Sequence, residues 1–363
     1  MTSDRVAVLG TGLIGTSIAL AAARVGCPVS GWDPDAGALG KAAERSGLGA
    51  AASLSTCVHD ADIVVVSTPI PTIGWVAAES LAEAPNAIVT DAGSIKSRVM
   101  DEVRQAARAD ALDRFVGGHP MGGSERSGPE HAAASIVDGI VWVVTPSPAS
   151  APEVVERLEG WIRRLGAVPV RMEPARHDRL VAFVSHLPQV ASTALMGLAA
   201  TEEASEPEIL LLAAGGFRDL TRLAASNPAL WSEILLANRE AIAEAIDLFV
   251  ARLTSLRDLV SQEREEDVRR AFESAKAARL TLAAKPHVRA GVVVLHIEVP
   301  DRPGALAELT GAMAEASVNI EDLQIVHSPE GGRGAVYLTV AAATETDASG
   351  VLADHGFDPT RLA

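Results

Sequence analysis

One histidine, His119, stands in a segment almost free of side chains, GGHPMGGSERSG at residues 117–128. Glycine offers nothing to pack and loses much backbone entropy on folding, so the segment is poor material for a core. A bare backbone would let a ligand approach the imidazole, which accepts a proton near neutral pH. Turns are also rich in Gly, Pro and Ser for geometric reasons alone. The segment by itself leaves open whether His119 is a proton acceptor or a turn residue.

Two arginines in GGFRDLTR, residues 215–222, form a second candidate group. Arg218 and Arg222 are four residues apart, so a helix would place them on one face. No acidic residue is spaced to neutralise both guanidinium groups, and such groups suit carboxylates or phosphates. The pattern favours an anionic ligand, while a solvated helix face or a salt bridge between subunits would give the same sequence.

A glycine-rich turn with the spacing G-x-G-x-x-G follows the apolar run VAVL near the start of the chain. Such a turn lets a pyrophosphate approach the start of a helix, where free N–H groups and the helix dipole favour an anion. Asp33 ends the next apolar run, where a carboxylate can bind the hydroxyls of an adenosine ribose. The motif predicts a dinucleotide site that includes Gly10, Thr11, Gly12, Leu13, Ile14 and Gly15.

Asp33 also bears on which dinucleotide binds. Its carboxylate would repel a 2′-phosphate, and the flanking GWDPD has no arginine to accept one, so we expect NAD rather than NADP. The run DIVVVSTP should end at the same edge of the predicted sheet. Its last residues, Ser67, Thr68 and Pro69, are therefore added to the predicted cofactor site.

These candidate residues need elements to position them, and residues 1–172 alternate apolar runs with helical patterns. Several runs are too uniformly apolar to face water, as in a parallel sheet covered by helices on both sides. The alternation predicts a doubly wound α/β domain of the Rossmann type. Its predicted strands are RVAVLG, PVSGWD, DIVVVSTP, AIVTDAG, RFVGG and VWVVTP.

Residues 173–285 show helical patterns only and should form an all-α domain. ARHDRLVAFVSHLPQVASTALMGLAA and NREAIAEAIDLFVARLTSLRDLVSQE carry apolar residues at three-to-four spacing, typical of long helices. Pro188 should kink the first, because proline cannot donate to the carbonyl four residues earlier. The apolar faces are wide, so we expect a homodimer that buries them.

Composition excludes some function classes. A formal net charge of −16 argues against nucleic acid or an anionic membrane surface as partner. Cys27 and Cys57 match no disulfide or metal pattern, and MTSDR does not resemble a secretion signal, so we expect a cytoplasmic protein without a metal site. The stretch from Val6 to Ala23 is uncharged over the length of a membrane span, but its glycines fit a strand, a turn and a helix better.

Five segments taken together are more selective than any one of them: GTGLIGTSIA, DAGSIKS, GGHPMGGSERSG, SHLPQ and GGFRDLTRLAASNPALW. In this order they resemble the prephenate/arogenate dehydrogenase family of tyrosine biosynthesis, over roughly residues 5–285. The resemblance implies a Rossmann domain followed by a helical dimerisation domain. It also implies NAD-dependent oxidative decarboxylation of prephenate to 4-hydroxyphenylpyruvate, a substrate that carries a ring carboxylate and a side-chain carboxylate.

The family resemblance assigns roles to the candidate residues. His119 would accept the proton of the substrate hydroxyl while hydride leaves the same carbon, and Ser94 would hydrogen-bond that hydroxyl. Arg222 would hold a substrate carboxylate. Further substrate-binding roles are implied for Ser124, Glu125, Arg218, Asp219, His186 and Trp231, of which the charged residues match an entrance gate and Trp231 reaches the substrate from the partner subunit in relatives. Salt-bridging structure would explain the gate residues equally well, and His186 could be a core histidine.

This chain departs from many family members at Gln189, where they have a second histidine. We hypothesise that Gln189 loosens the preference for the keto group of prephenate and favours the amino group of arogenate. Arogenate dehydrogenase is therefore the alternative function, with a dehydrogenase of an amino-substituted prephenate analogue beside it. From a different class, a sensor of NAD and an amino acid without turnover would not need Ser94, His119 and Arg222 together.

The last segment, residues 290–363, returns to a mixed pattern of strands and helices in a small α+β module. VLHIEVPDRPGALAELTGAMAEASVNI resembles an ACT domain, a ferredoxin-like module that binds amino acids in relatives. The resemblance implies an effector, tyrosine or phenylalanine, at Asp301, Pro303, Gly304, Asn319 and Ile320. Many such modules only dimerise, and the final GFDPTRLA is so short that its pairing stays open.

Overall fold

The computed structural model describes residues 3–122, 127–284, 292–300, 302–327 and 333–361. Contacts divide the chain into two compact units, Met1–Thr254 and Ser255–Ala363. The first unit contains the predicted α/β region and most of the helical region. The second contains the end of the helical region and the small α+β module. The predicted domain boundaries themselves, 1–172, 173–285 and 290–363, stay a prediction.

An eight-stranded sheet forms the centre of the first unit, in the order β3-β2-β1-β4-β5-β6-β7-β8. All six predicted strands are present. Two short strands, β3 and β8, had no sequence signal strong enough to identify them. The bounds are β1 Val6–Leu9, β2 Val29–Trp32, β3 Gly49–Ala50, β4 Ile63–Val66, β5 Ile88–Asp91, β6 Phe115–Pro120, β7 Val141–Pro146 and β8 Val168–Arg171.

The prediction of a parallel sheet is wrong at one pair of strands. Strands β1 to β6 are parallel, but β7 runs antiparallel to β6, with His119 opposite Val143. A parallel pair needs a crossover, usually a helix, whereas antiparallel neighbours do not. The described part of the connection contains only the short 3₁₀ turns Pro129–His131 and Ala134–Ile136, which fits the antiparallel arrangement.

Alternation along the central strands explains why helices cover both faces of the sheet. In β1, Val6 and Val8 pack into one apolar cluster and Ala7 and Leu9 into another, and all four are buried. A strand buried on both faces must be apolar throughout. The covering helices are α1 Leu13–Arg24, α2 Ala36–Ser46, α3 Leu54–Val58, α4 Ile70–Glu83, α5 Ser97–Ala106 and α6 Pro152–Arg164.

The long helix predicted around SHLPQ is present as α7 Pro174–Val181, a π-helical turn Ala182–His186 and α8 Leu187–Glu202. Because Pro188 has no N–H to donate, the regular bonding pattern is interrupted just before it, and the interruption takes the form of the π turn. The other helices of the region are α9 Glu208–Leu211, α10 Gly215–Thr221, α11 Pro228–Ala237, α12 Arg239–Ser261 and α13 Glu265–Ala284.

The uncharged stretch from Val6 to Ala23 is a strand, a turn and a helix, as predicted. Within the described residues, one helix is long and apolar enough to cross a membrane, Pro174–Glu202 with a mean hydropathy of 1.3. This helix carries three buried polar side chains, His186, Gln189 and Ser192, which contact other polar groups of the protein.

The module at the end of the chain is a four-stranded antiparallel sheet in the order β10-β11-β9-β12. Its helices pack on the sheet through an apolar core that includes Leu295, Ile297, Leu309, Leu338 and Leu352. The last strand is short, and it pairs with β9. The bounds are β9 Val292–Pro300, α14 Ala305–Glu315, β10 Ile320–His327, β11 Arg333–Ala341, α15 Glu345–Asp354 and β12 Pro359–Arg361.

Candidate active site

His119 lies near the carboxyl end of β6, and the two glycines before it are part of the strand rather than of an exposed loop. Both are buried. A Cβ atom at Gly118 would come within 2.6 Å of the Asp91 carbonyl oxygen and 2.8 Å of Trp142 Nε1. The interpretation of this glycine pair as space for a ligand is therefore wrong: it lets β6 lie close to its neighbours.

The imidazole of His119 is partly exposed and ends a series of hydrogen bonds that leads into the protein. Its Nδ1 atom lies 2.8 Å from Nε2 of His177, and Nδ1 of His177 lies 2.8 Å from a carboxylate oxygen of Asp178. His177 and Asp178 are both buried. The two carboxylate oxygens of Asp178 also accept the backbone N–H groups of Lys96 and Ser97 at the start of α5, at 2.8 Å each.

This series of hydrogen bonds determines which ring nitrogen of His119 is free. Hydrogen bonds from His177, Ser97 and Lys96 outweigh burial and lower the pKa of Asp178, so its carboxylate is charged and accepts the Nδ1–H of His177. The Nε2 atom of His177 is then an acceptor, and His119 must donate to it from Nδ1. The Nε2 atom of His119 is left with a lone pair, the form that a proton acceptor needs.

Burial lowers the pKa of His119 well below its ordinary value, and the nearby His177, Lys96 and His186 lower it further. The imidazole is therefore neutral at neutral pH and can accept a proton without first losing one.

A fully buried ion pair holds the backbone before His119. The ammonium group of Lys96 contacts the Asp91 carboxylate and the carbonyl oxygen of Gly118. Asp91 also accepts the N–H groups of Gly93 and Gly118, at 2.9 and 3.1 Å. Burial lowers the pKa of Lys96, and the Asp91 carboxylate offsets part of that effect. We call His119, His177, Asp178, Lys96 and Asp91 the imidazole network.

Ser94 follows β5, and His119 lies on the neighbouring strand β6, so both come from the carboxyl ends of adjacent strands. Ser94 is partly exposed, and its hydroxyl makes no hydrogen bond within the part of the chain that the structure describes. A hydroxyl that is not committed to protein groups can bind a substrate.

The predicted dinucleotide site has the backbone geometry that a pyrophosphate needs. Gly10 has a φ of +90°, and a Cβ atom there would lie 2.5 Å from the Ser67 carbonyl oxygen. Gly12 is different, since a Cβ atom would meet nothing within 4 Å, and no side chain caps the start of α1. The open position at Gly12 and the free N–H groups of the first turn, at Leu13 and Ile14, suit an anion.

Asp33 and Thr68 lie beside this turn. We call the turn from Gly10 to Gly15, together with Asp33 and Thr68, the nucleotide crevice. Asp33 accepts the backbone N–H and the hydroxyl of Thr11, at 2.7 and 3.1 Å. The Thr68 hydroxyl is buried and has no partner in the described residues. An unpartnered buried hydroxyl beside an open glycine turn fits a dinucleotide cofactor. Ser67 and Pro69 flank it after β4.

His186 lies in the same buried region as the imidazole network. Its Nδ1 atom is 3.3 Å from the amide nitrogen of Asn238, which also donates to the backbone carbonyl of Asp178 at 2.9 Å. Burial lowers the pKa of His186 to about 4, so it is neutral. The Trp231 ring stands edge-on to it, with centroids 6.0 Å apart, within the same chain.

Both ends of the Gln189 amide are engaged by protein groups. Its nitrogen donates to the Leu223 carbonyl at 2.7 Å, and its oxygen accepts from the Ser226 hydroxyl at 3.3 Å. The Ser192 hydroxyl accepts the N–H of Ala224 from the same turn. These bonds hold the 3₁₀ turn Arg222–Ala225 against α8.

Arg222 begins that turn, one residue after α10 ends at Thr221, and it is exposed, as are Arg218 and Asp219. Within the described residues, no carboxylate forms an ion pair with either arginine, which leaves both free for an anionic ligand. Ser124 and Glu125 lie outside the described residues.

The predicted effector site lies at a tight turn in the last module. Gly304 has a φ of +90° and lies directly before α14, after Pro303. Arg302 forms a paired ion bridge with Glu308, at 2.6 and 3.0 Å. Asn319 precedes β10, whose first residue is Ile320, and its amide donates to Glu321. Asp301 lies outside the described residues.

The sequence identified His119 but missed the side chains that control it, His177, Asp178, Lys96, Asp91 and Asn238. His177 and Asp178 appear in the sequence only as a His-Asp pair in ARHDR. Such a pair predicts no role until the structure shows that α7 brings it to His119 on β6. The histidines at 119 and 177 are separated by 58 residues of sequence.

Comparisons with known proteins identify the family of the chain. Two family models match adjacent parts of the chain: the prephenate dehydrogenase nucleotide-binding domain over residues 18–171 and the prephenate dehydrogenase dimerization domain over residues 173–274. The ACT domain model matches residues 293–356.

The relatives cover most of the chain. A prephenate dehydrogenase of Bacillus subtilis is 33% identical over 340 residues, 90% of this chain and 89% of its own length. The structure of A. aeolicus prephenate dehydrogenase with hydroxyphenyl propionate and NAD+ superposes with a TM-score of 0.72, at 28% identity over 78% of this chain and 99% of that one. Synechocystis arogenate dehydrogenase gives 0.67, at 29% identity over 77% and 99%. This chain belongs to the prephenate dehydrogenase family and carries a C-terminal ACT domain.

Proposed function

We propose that the protein oxidises and decarboxylates prephenate to 4-hydroxyphenylpyruvate with NAD+. The observation that carries this proposal is the neutral imidazole of His119, with Nδ1 donating to His177 and a lone pair left on Nε2. Removal of a hydroxyl proton as hydride leaves the same carbon lets carbonyl character develop without a cation. The protein has a net charge of −16, so an anionic substrate needs local positive charge, and Arg218 and Arg222 supply it.

The nucleotide crevice supports NAD as the cofactor. When bound, NAD+ accepts the hydride from the carbinol carbon. The N–H groups at the start of α1 would hold the pyrophosphate, the open position at Gly12 leaves room for it, and the Thr68 hydroxyl has no other partner among the described residues. Asp33 would bind the ribose hydroxyls and repel a 2′-phosphate.

The chain's residues divide the rest of the reaction between them. His119 Nε2 takes the proton from the substrate hydroxyl, and the Ser94 hydroxyl hydrogen-bonds the same oxygen. Arg222 binds a substrate carboxylate through two parallel hydrogen bonds, which orient the ring. The ring carboxylate leaves as CO2, and the electron pair of the broken C–C bond makes the ring aromatic.

Arogenate is the second candidate substrate, because the chain carries Gln189 where many family members have histidine. The Gln189 amide is committed to the turn that begins at Arg222. Its effect on substrate preference would therefore act through the position of Arg222 rather than through direct contact with the substrate side chain.

We also propose a cytoplasmic homodimer with an amino-acid effector. The helical region exposes large apolar side chains that a second copy would cover, among them Leu198, Leu211, Leu212 and Leu220. Both cysteines are free, as expected in a reducing compartment. A tyrosine titration that leaves both the activity and the melting temperature unchanged would remove the effector proposal.

The direct test is NADH formation by the purified protein with prephenate and arogenate side by side, each with NAD+ and NADP+. We expect turnover with NAD+ on at least one substrate and a much lower kcat/KM with NADP+. Equal efficiency with the two cofactors would refute the role of Asp33, and no turnover on either substrate would refute the proposed function.

A further inference from the structure

The fate of the proton that His119 accepts is not explained by His119 alone. The imidazole is partly buried, packs beside fully buried polar groups and lies close to the Lys96 ammonium group, where a lasting positive charge is unfavourable. A base in such a place works well only if a neighbour stabilises the charge when it forms. The groups that face His119 are His177 with Asp178 behind it, Lys96 with Asp91 behind it, and His186.

Among these groups, only His177 touches the imidazole of His119 in a geometry that can pass a proton. The nitrogens are 2.8 Å apart, and the rings meet edge-on, with centroids 5.1 Å apart. Asp178 lies 2.8 Å beyond, and its charge is held by two backbone N–H groups at the start of α5. Lys96 is a cation already, and its ammonium group is committed to Asp91 and Gly118.

We propose that His177 and Asp178 are positioning residues that set the tautomer of His119 and take over the charge formed on it during the reaction. This proposal rests on the proposed function. It extends that function by assigning two residues of the helical region to the control of a base on the nucleotide-binding sheet.

The proton balance is complete without a further reactant. As the substrate proton binds to Nε2 of His119, the proton on Nδ1 moves to Nε2 of His177, and His119 is neutral again. His177 then carries the positive charge, with its Nδ1–H still donated to the Asp178 carboxylate. The hydride leaves separately for NAD+, so the network moves a proton and no electrons. The reverse transfers return the proton through His119 Nε2 to the phenolate oxygen that loss of CO2 leaves on the product, which restores the resting state.

Three substitutions separate positioning from proton transfer. In His177→Gln, the amide oxygen can still accept from His119 Nδ1 but cannot accept a proton. In His177→Leu, both functions are lost. In Asp178→Asn, the amide can donate to His177, so that His177 donates to His119 and the proton of His119 moves to the nitrogen that must be free. In the Ser-His-Asp triad, the corresponding change from Asp to Asn costs about 10⁴ in kcat through the wrong tautomer.

We expect kcat to fall about tenfold in His177→Gln, about a hundredfold in His177→Leu and about a thousandfold in Asp178→Asn, and the two larger losses lie within the range that a general base contributes. NAD affinity should be unchanged in all three, because none of these side chains belongs to the nucleotide crevice. His59→Gln, which changes an exposed histidine, is the matched control and should behave as wild type.

Two readouts separate this proposal from a purely structural role. The acid limb of the kcat/KM profile should move to lower pH in His177→Gln, because the first proton taken up by the pair rests on His177 beside the Asp178 carboxylate, and the variant lacks that site. Nitrogen-15 NMR of the histidine rings, which needs no substrate, should show His119 protonated on Nδ1 in the wild type and on Nε2 in Asp178→Asn.

Equal loss of kcat in the Gln and Leu variants with an unmoved acid limb would overturn proton transfer to His177. A wild-type His119 protonated on Nε2 would overturn the positioning role. If the wild type turned over neither substrate, the proposed function would fail, and the NMR result would still decide the assignment of the tautomer.

Discussion

The nucleotide crevice and the imidazole network meet at the same edge of one sheet and are built in opposite ways. The crevice consists of backbone at Gly10 to Gly15, an open position at Gly12 and an unpartnered hydroxyl at Thr68. The network consists of two bonded groups of side chains, Asp91 with Lys96 and Asp178 with His177 and His119, which the backbone N–H of Lys96 joins. A surface that binds and releases a cofactor keeps its donors free, whereas a base that must keep one protonation state has its other atoms committed.

The largest effect should come from breaking the network at its ion pair. In Lys96→Met, the Asp91 carboxylate stays buried without its cation, which costs about 3–5 kcal/mol in such pairs. Urea unfolding at pH 7.5 measures this loss. Lys41→Met, which removes an exposed lysine 3.9 Å from Glu130, is the control and should leave the free energy of unfolding nearly unchanged. A small loss in Lys96→Met would mean that the ion pair does not hold the network.

Two glycine substitutions test the nucleotide crevice through the free energy of unfolding and the affinity for NAD. In Gly15→Ala, the methyl group would overlap the Gly10 carbonyl and lie 3.1 Å from Val8, so we expect a loss of about 2–3 kcal/mol and no NAD binding. Gly12→Ala meets nothing within 4 Å and changes only the residue that caps α1, so we expect a loss of less than about 1 kcal/mol, while NAD affinity falls at least tenfold. Equal NAD affinity in Gly12→Ala and wild type, measured by calorimetry, would contradict the placement of the pyrophosphate.

Acid should lower the free energy of unfolding through His186, which lies beside the imidazole network. Its folded pKa of about 4 lies below the unfolded value of about 6.5, so the unfolded chain binds the proton first as the pH falls. The stability that the neutral ring contributes is complete above pH ~6.5 and is lost progressively toward the folded pKa, by about 2 kcal/mol at pH 5. Urea unfolding at pH 7.5 and 5 should show a smaller loss in His186→Gln than in the wild type. Identical losses would mean that His186 is not buried as a neutral ring.

The smallest effect should come from Gln189→His, which changes the support of Arg222 rather than the base. We expect the ratio of kcat/KM for prephenate to that for arogenate to rise severalfold, toward prephenate. Ser226→Ala removes one of the Gln189 contacts without a new charge and is the control. An unchanged ratio in Gln189→His rejects the role of this residue in substrate preference.

Local features of the fold followed from the sequence because a few adjacent residues determine them. The turn at Gly10 needs a positive φ that glycine adopts easily, and the short apolar run before it, which ends at a glycine, is typical of a buried strand. The direction of β7 could not be predicted in this way. It depends on a connection that lacks a crossover helix in its described part.

The part of the site that adjacent residues determine was also predictable. The motifs identified His119, but the glycines beside it were interpreted as space for a ligand, and they are space for neighbouring strands. His177 acquires its role only when α7 brings it to 2.8 Å from His119 across 58 residues of sequence. No periodicity or motif within either segment contains that contact.

The central claim is that His119 is a neutral base whose Nε2 atom takes the substrate proton. Single-turnover NADH formation in His119→Asn, with NAD affinity measured on the same sample, tests it most directly. We predict unchanged NAD affinity and a rate lower by about 10²–10⁴. A variant that binds NAD and turns over at the wild-type rate would contradict the claim.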